Sequence, residues 1–123
     1  MKHKVYYNDK DKIAEAKYVG DISLDDTKKI TGQLKKNLEG KSNRSIIADI
    51  SEIPTLKLDR DVRTKMAEMG KELKLDKIAV LGATPMNRML GKIVLTLFGK
   101  SKDTKFFETK EEAISWIKGK VRH

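Results

Sequence analysis

Ser45-Ile46-Ile47-Ala48-Asp49-Ile50 is the stretch of the chain that decides the fold. A short apolar run of this kind is typical of a central strand with at least one face covered. A second run, Lys77-Ile78-Ala79-Val80-Leu81-Gly82, has the same character. We therefore predict two buried strands and place the first of them in the middle of the sheet.

Helical signals surround these two strands. Ser23, with Asp26 three residues later, resembles a capping box. Thr84-Pro85 combines an N-cap with proline at the first helical position. Four helices are predicted, from Ser23 to Gly40, from Leu58 to about Lys74, from Thr84 to near Gly99, and from Thr109 onward through Ile117.

Three further strands complete the pattern. Lys4-Val5-Tyr6-Tyr7 and Ile13–Val19 flank a polar turn and predict a β-hairpin, and Thr104–Glu108 predicts a last strand. The order is β-β-α-β-α-β-α-β-α. It predicts an α/β fold in one domain over residues 1–123, with a mixed five-stranded sheet, four helices and the hairpin as an antiparallel edge.

Several segments resemble the SpoIIAA-like family, a branch of the STAS-type fold. They are the turn Gly20-Asp21-Ile22-Ser23, the two buried strands, and Glu112-Ala113-Ile114-Ser115-Trp116-Ile117. The resemblance covers nearly the whole chain and implies non-enzymatic roles. These are anti-sigma antagonism in the classical branch, and association with lipids, hydrophobic ligands or membranes in the SpoIIAA-like branch.

The resemblance also directs attention to the start of the second helix. Classical antagonists carry a serine there, in an Asp-Ser-Ser-Gly setting, whose phosphorylation switches partner binding. The corresponding stretch here, Leu56-Lys57-Leu58-Asp59-Arg60, has neither serine nor glycine. Thr55 and Asp59 are the candidates for a partner-binding surface. Asp59 acts either as a fixed negative charge or as ordinary complementation of the helix dipole.

The sequence offers little for catalysis. There are no cysteines, and the two histidines, His3 and His123, lie at opposite ends of the chain. We expect neither imidazole to be held as a catalytic base or metal ligand. The chain is accordingly predicted to be no enzyme and to use no metal or cofactor.

Charge and hydropathy restrict the partners. Lys+Arg number 27 against 18 Asp+Glu, a formal charge of +9 that favours anionic partners. The lysines are spread over every segment without interleaved aromatics, so nucleic acid is not the expected partner. Neither a signal peptide nor a spanning segment is recognised, which predicts a cytoplasmic protein whose only membrane contact would be peripheral, at the inner face.

Polar side chains near strand ends are a first group of candidate site residues. Asp49 and Ser51 follow the central strand where open α/β sheets present ligand-contacting groups, and they are equally suited to local turn hydrogen bonds. Thr84 lies at a helix start that could hold an anion, and it is also an ordinary N-cap.

The third helix carries more apolar surface than docking on a sheet requires. Its apolar residues cover about half of its circumference, with Leu95 on the opposite side. A basic rim lies beside this apolar surface and consists of Arg88 and Lys92 on the polar side of the helix and Lys100 and Lys102 just beyond Gly99. The candidate ligand or membrane contacts are Met86, Arg88, Met89, Lys92, Ile93, Leu95 and Phe98.

Three interpretations of this helix stay open: burial in the core, a homodimer interface, and contact with a hydrophobic ligand or an anionic lipid surface. Excess apolar surface alone does not select among them. The favoured function is a non-catalytic module that binds a hydrophobic ligand or membrane lipid through this helix. The alternative is a regulatory protein-interaction module that lacks the phosphorylatable serine.

Overall fold

Five strands and four helices make up the part of the chain that the computed structural model describes, residues 2–97 and 103–119. The elements are β1 (Lys4–Asn8), β2 (Ile13–Val19), α1 (Leu24–Leu38), β3 (Ile46–Glu52), α2 (Arg60–Glu72), β4 (Ile78–Leu81), α3 (Pro85–Leu97), β5 (Thr104–Phe107) and α4 (Lys110–Ile117). This order confirms the one predicted from the sequence.

The strands form one mixed sheet in the order β1-β2-β3-β4-β5. β1 runs antiparallel to β2, and the other neighbouring pairs are parallel. The predicted antiparallel edge and the central place of β3 are thus confirmed. β3 continues two residues beyond Ile50 because Glu52 pairs with Val19 after a register shift in β2.

Alternate residues of β3 face two separate cores. Ile46 and Ile50 pack with the buried faces of α1 and α2, whereas Ile47 packs with α4 on the other side of the sheet. α3 lies on the same side as α1 and α2, since Gly91 approaches Phe106 and Phe106 pairs with Val80 of the first core. We call the side of α1, α2 and α3 the three-helix face.

The ends of the first two helices depend on capping. Ser23 and Asp26 form the predicted capping box of α1. α2 begins later than its apolar stripe suggested, because the Asp59 Oδ1 accepts a hydrogen bond from the backbone N–H of Val62 at 2.9 Å. Leu58 therefore precedes the helix. Lys74 lies beyond its end, with a positive φ of 52°.

His3 has a structural role, because its side chain is fully buried and held by two hydrogen bonds. The Val19 N–H donates to Nδ1 at 2.9 Å, so the other ring nitrogen, Nε2, carries the proton that points to Asp26 Oδ2 at 3.1 Å. Burial opposes ionisation of Asp26, but hydrogen bonds from Ser23 and His3 outweigh it and lower the pKa of that carboxyl. His3 thereby joins β2 to α1.

The opposite face of the sheet holds a buried carboxylate. Glu15 accepts hydrogen bonds from the Tyr6 hydroxyl at 2.7 Å and, more weakly, from the Asn8 amide at 3.4 Å. Lys110 Nζ lies 2.9 Å from Glu15 Oε1, and this hydrogen bond raises the pKa of Lys110. Glu15 therefore fastens α4 to the hairpin.

Candidate functional site

The outer side of α3 exposes three large apolar side chains. Met86, Met89 and Ile93 are 59%, 57% and 55% accessible to solvent. Their spacing of three and four residues places them in one stripe along the helix. The interpretation of α3 as a fully buried core helix is therefore excluded. We call these three exposed residues the outer stripe.

The inner side of α3 begins with a buried amide. Thr84 caps the helix, since its Oγ1 accepts a hydrogen bond from the Asn87 N–H at 3.1 Å. The Asn87 side chain is 0% exposed. Its Oδ1 accepts from the Leu56 N–H at 2.8 Å, and its Nδ2 donates to the Ile53 carbonyl at 3.0 Å. Asn87 thus ties α3 to the loop that follows β3.

That loop carries the predicted partner-surface residues. Thr55 is exposed and lies directly before Leu56, the residue bound by Asn87. Asp59 is exposed and caps α2, which supports the ordinary explanation of its charge. The structure therefore joins the backbone of this loop to the start of α3 through Asn87.

An apolar pocket of about 160 Å³ lies between the sheet, α2, α3 and this loop. Ala48 and Val80 line it from the strands, and Phe106 lines it from β5. Among the lining residues that the structure describes, Arg63 of α2 is the one charged side chain. A dry cavity of about 150 Å³ can hold a benzene molecule, so the space suits a small apolar group.

The pocket exists because small residues meet from three elements. Ala48 comes from β3, Ala67 and Gly70 from α2, and Gly91 from α3. A Cβ added to Gly91 would lie 3.3 Å from Phe106 Cζ, so glycine lets α3 approach the sheet closely. Larger side chains at these positions would fill the space that forms the pocket.

Arg88, one of the residues of the predicted basic rim, is half-buried. Its guanidinium carbon lies 5.8 Å from the centroid of the Phe106 ring, and its Nε is buried without a hydrogen-bond partner among the described residues. Lys92 is exposed on the same helix. The side chain of Leu95, and Phe98, Lys100 and Lys102 entirely, lie outside what the structure describes.

Asp49 and Ser51 are not part of the pocket. Asp49 pairs in register with Leu81, whose side chain belongs to the core under α4, on the far side of the sheet. Asp49 Oδ1 accepts from both the backbone N–H and the hydroxyl of Ser51, at 2.9 and 2.7 Å. These bonds favour the local structural role that the sequence left open.

Neither a metal-binding cluster nor a membrane-spanning helix is found in the described part of the chain. Within residues 2–97 and 103–119, no group of three or more His, Asp or Glu side chains is arranged to hold a metal ion. Of the helices in that part of the chain, none has the length and apolar character needed to span a bilayer.

Sequence reasoning missed Asn87 and Arg63. Asn87 gave a usable signal, because an amide in the first turn of an otherwise apolar helix is a candidate to bind backbone. Arg63 gave none, since it is one of many basic residues and its place at a pocket depends on residues far away in the chain.

Comparison with known proteins gives a family match over most of the chain. The model of the SpoIIAA-like family matches residues 13–118. No curated protein shows significant sequence similarity to the chain.

Solved structures share the fold at low sequence identity. The unphosphorylated anti-sigma-factor antagonist SpoIIAA aligns with a TM-score of 0.69 and 16% identity, covering 98% of this chain and 99% of its own. An uncharacterised Shewanella loihica protein with a SpoIIAA-like fold gives 0.69 and 20%, with 94% and 91% covered. An anti-sigma-factor antagonist (STAS) domain protein from Planctomyces limnophilus gives 0.60 and 12%, with 94% and 97% covered.

Proposed function

Since the chain belongs to the SpoIIAA-like family, we propose that it is a non-catalytic regulatory module that binds a protein partner. Two proteins that share its fold are described as anti-sigma-factor antagonists, a role exercised through another protein. The fold alone does not carry that role to this chain. The proposal rests on the surface of α3.

The outer stripe is the observation that supports protein binding best. Three apolar side chains, each more than half exposed, lie side by side on a regular helix. Clustered apolar residues of this kind mark interaction sites, and methionine adapts to varied partner surfaces. The net charge of +9 favours a partner with an apolar centre and acidic surroundings.

The neighbouring loop extends this surface. Thr55 and Asp59 lie on the segment that Asn87 fastens to the start of α3. A partner that covers the outer stripe would therefore meet a fixed loop conformation, which lowers the entropy lost on binding. No phosphorylated serine is needed for this mode.

A cross-linking experiment tests the proposal. A photoreactive residue replacing Met89 is activated in lysate of the source cells, the partner is identified, and its binding to the purified chain is measured by calorimetry. We expect Met89→Asp to weaken binding at least about tenfold, as for a central interface residue. Gln33→Asp, at an exposed site on α1, is the matched control and should change it less than twofold.

The same variants separate protein binding from membrane binding and self-association. If wild-type protein floats with anionic vesicles and Met89→Asp does not, the outer stripe binds lipid and the protein-partner proposal is wrong. If the wild type has twice the monomer mass in solution and Met89→Asp is monomeric, the stripe is a homodimer interface.

A second function, binding of a small apolar ligand, is supported by the pocket of about 160 Å³. It differs from the surface proposal because the ligand would lie inside the three-helix face. Native mass spectrometry of freshly purified wild-type protein should then show an added mass of some hundred daltons. The Ala67→Leu variant, whose larger side chain fills the pocket, should lack this added mass.

A further inference from the structure

We infer that the pocket selects a small organic anion, a carboxylate with an apolar body of about six carbon atoms, through the guanidinium of Arg63. The inference rests on the proposed binding of an apolar ligand and adds the chemical class of that ligand. It follows from what lines the pocket, from the state of Arg63, and from the pocket's size.

Among the described residues that line the pocket, Arg63 is the charged one. Its side chain is half-buried and makes no hydrogen bond or ion pair with another residue that the structure describes. Arginine's planar guanidinium matches a carboxylate through two parallel hydrogen bonds. In an apolar site such bonds are stronger than in open water.

The other polar side chains of the lining carry no charge that would repel an anion. The amide of Asn87 is engaged at both ends by Leu56 and Ile53. Burial raises the pKa of Tyr18 to about 12, so its hydroxyl is neutral at physiological pH. No carboxylate lines the pocket within the described residues, so an entering anion meets no like charge there.

Volume limits the apolar part of the ligand. The pocket of about 160 Å³ is close to the 150 Å³ that accepts benzene, which corresponds to about six carbon atoms. A longer chain would have to leave the pocket or displace α2 from the sheet. Hexanoate therefore combines the expected charge with the expected size.

The test is a titration of the ¹⁵N-labelled protein by nuclear magnetic resonance, using hexanoate, 1-hexanol and acetate at equal ionic strength. The signals of Gly70 and Gly91 report on the pocket. The Trp116 indole, which packs on the opposite face of the sheet, reports on contacts elsewhere. Hexanoate should shift the glycine signals and bind about tenfold more tightly than 1-hexanol, leaving the indole unchanged.

Four variants make the test specific. Arg63→Gln should abolish the preference for hexanoate over 1-hexanol without weakening the binding of 1-hexanol. Arg60→Gln, at an exposed arginine one turn earlier on α2, should keep that preference. Ala67→Leu should weaken both ligands, and Ala48→Val fills the same space from the sheet if the first replacement does not fold.

The outcomes distinguish the inference from the function on which it rests. Equal affinity for hexanoate and 1-hexanol, or a preference that survives Arg63→Gln, overturns selection of an anion but leaves an apolar ligand in place. If no probe shifts the Gly70 and Gly91 signals, the apolar ligand itself is overturned. Binding of acetate as tight as that of hexanoate would show that the apolar body contributes nothing.

Discussion

Replacing Asn87 by alanine should detach the loop after β3 from α3 at a large cost in stability. The substitution leaves the Leu56 N–H and the Ile53 carbonyl without their partner, and Asn87 itself has 0% exposure. An unsatisfied buried backbone group costs about 1–3 kcal/mol. The two unsatisfied groups, one of which is only partly buried, together predict a loss of about 2–4 kcal/mol in the free energy of unfolding. This is a large share of the total of about 5–15 kcal/mol that is typical of a protein domain.

Urea denaturation followed by Trp116 fluorescence measures this loss, since that residue is the only tryptophan and packs far from the substitution. Asn43→Ala is the matched control. Its amide makes one exposed hydrogen bond, to the Lys12 carbonyl, so we expect a cost below about 0.5 kcal/mol. If both variants lose the same small amount, Asn87 does not hold the loop to α3.

Three other perturbations test the packing around the site. Burial raises the pKa of Tyr18 from 10.0 to about 12, so unfolding should become easier by up to about 2.7 kcal/mol between pH 10 and pH 12, where the unfolded tyrosine ionises first. Alkaline urea titrations should show a loss in the wild type that is smaller by about this amount in Tyr18→Phe, because the raised pKa values of Tyr6 and Lys110 act in both proteins. Lys110→Ala strands the buried Glu15 carboxylate and should cost about 2–3 kcal/mol, against less than about 0.5 for Lys29→Ala, whose pair with Asp25 is exposed; equal losses in denaturation would contradict the burial argument. Gly82 (φ +77°) and Gly40 (φ +72°) share a left-handed backbone, but a Cβ at Gly82 would lie 2.5 Å from Ser51 Cβ while none meets Gly40. Gly40→Ala should therefore lower the free energy of unfolding by about 1 kcal/mol and Gly82→Ala by at least about 3 kcal/mol, so the melting temperature should fall further in Gly82→Ala. Similar melting temperatures in the two variants would show that Ser51 moves aside.

The elements and their order could be predicted because each depends on local pattern. The apolar runs of β3 and β4 and the stripe of α1 are short-range signals, and all were confirmed. The boundaries that moved depend on longer-range or competing contacts. β3 is longer because Glu52 pairs with Val19, and α2 starts later because Asp59 caps it.

The partners of His3 could not be predicted from the sequence. The pairing of β1 with β2 ends at Lys4 and Lys17, so the N–H of Val19 needs another acceptor. His3 Nδ1 supplies it, while Asp26, 23 residues away, binds the second nitrogen. Nothing near His3 in the sequence reveals either partner.

The excess apolar surface of α3 was visible in the sequence, but its direction was not. A helical projection counts apolar residues around the axis and does not show how closely the helix approaches the sheet. Gly91 decides this, because its missing Cβ allows α3 to lie against Phe106. Met89 and Ile93, each two residues from Gly91, lie about 200° around the helix from it and therefore face outward. Gly91 therefore lies against the sheet at Phe106 and also lines the pocket, while the outer stripe occupies the other side of the helix, so a ligand and a partner would act on opposite sides of α3.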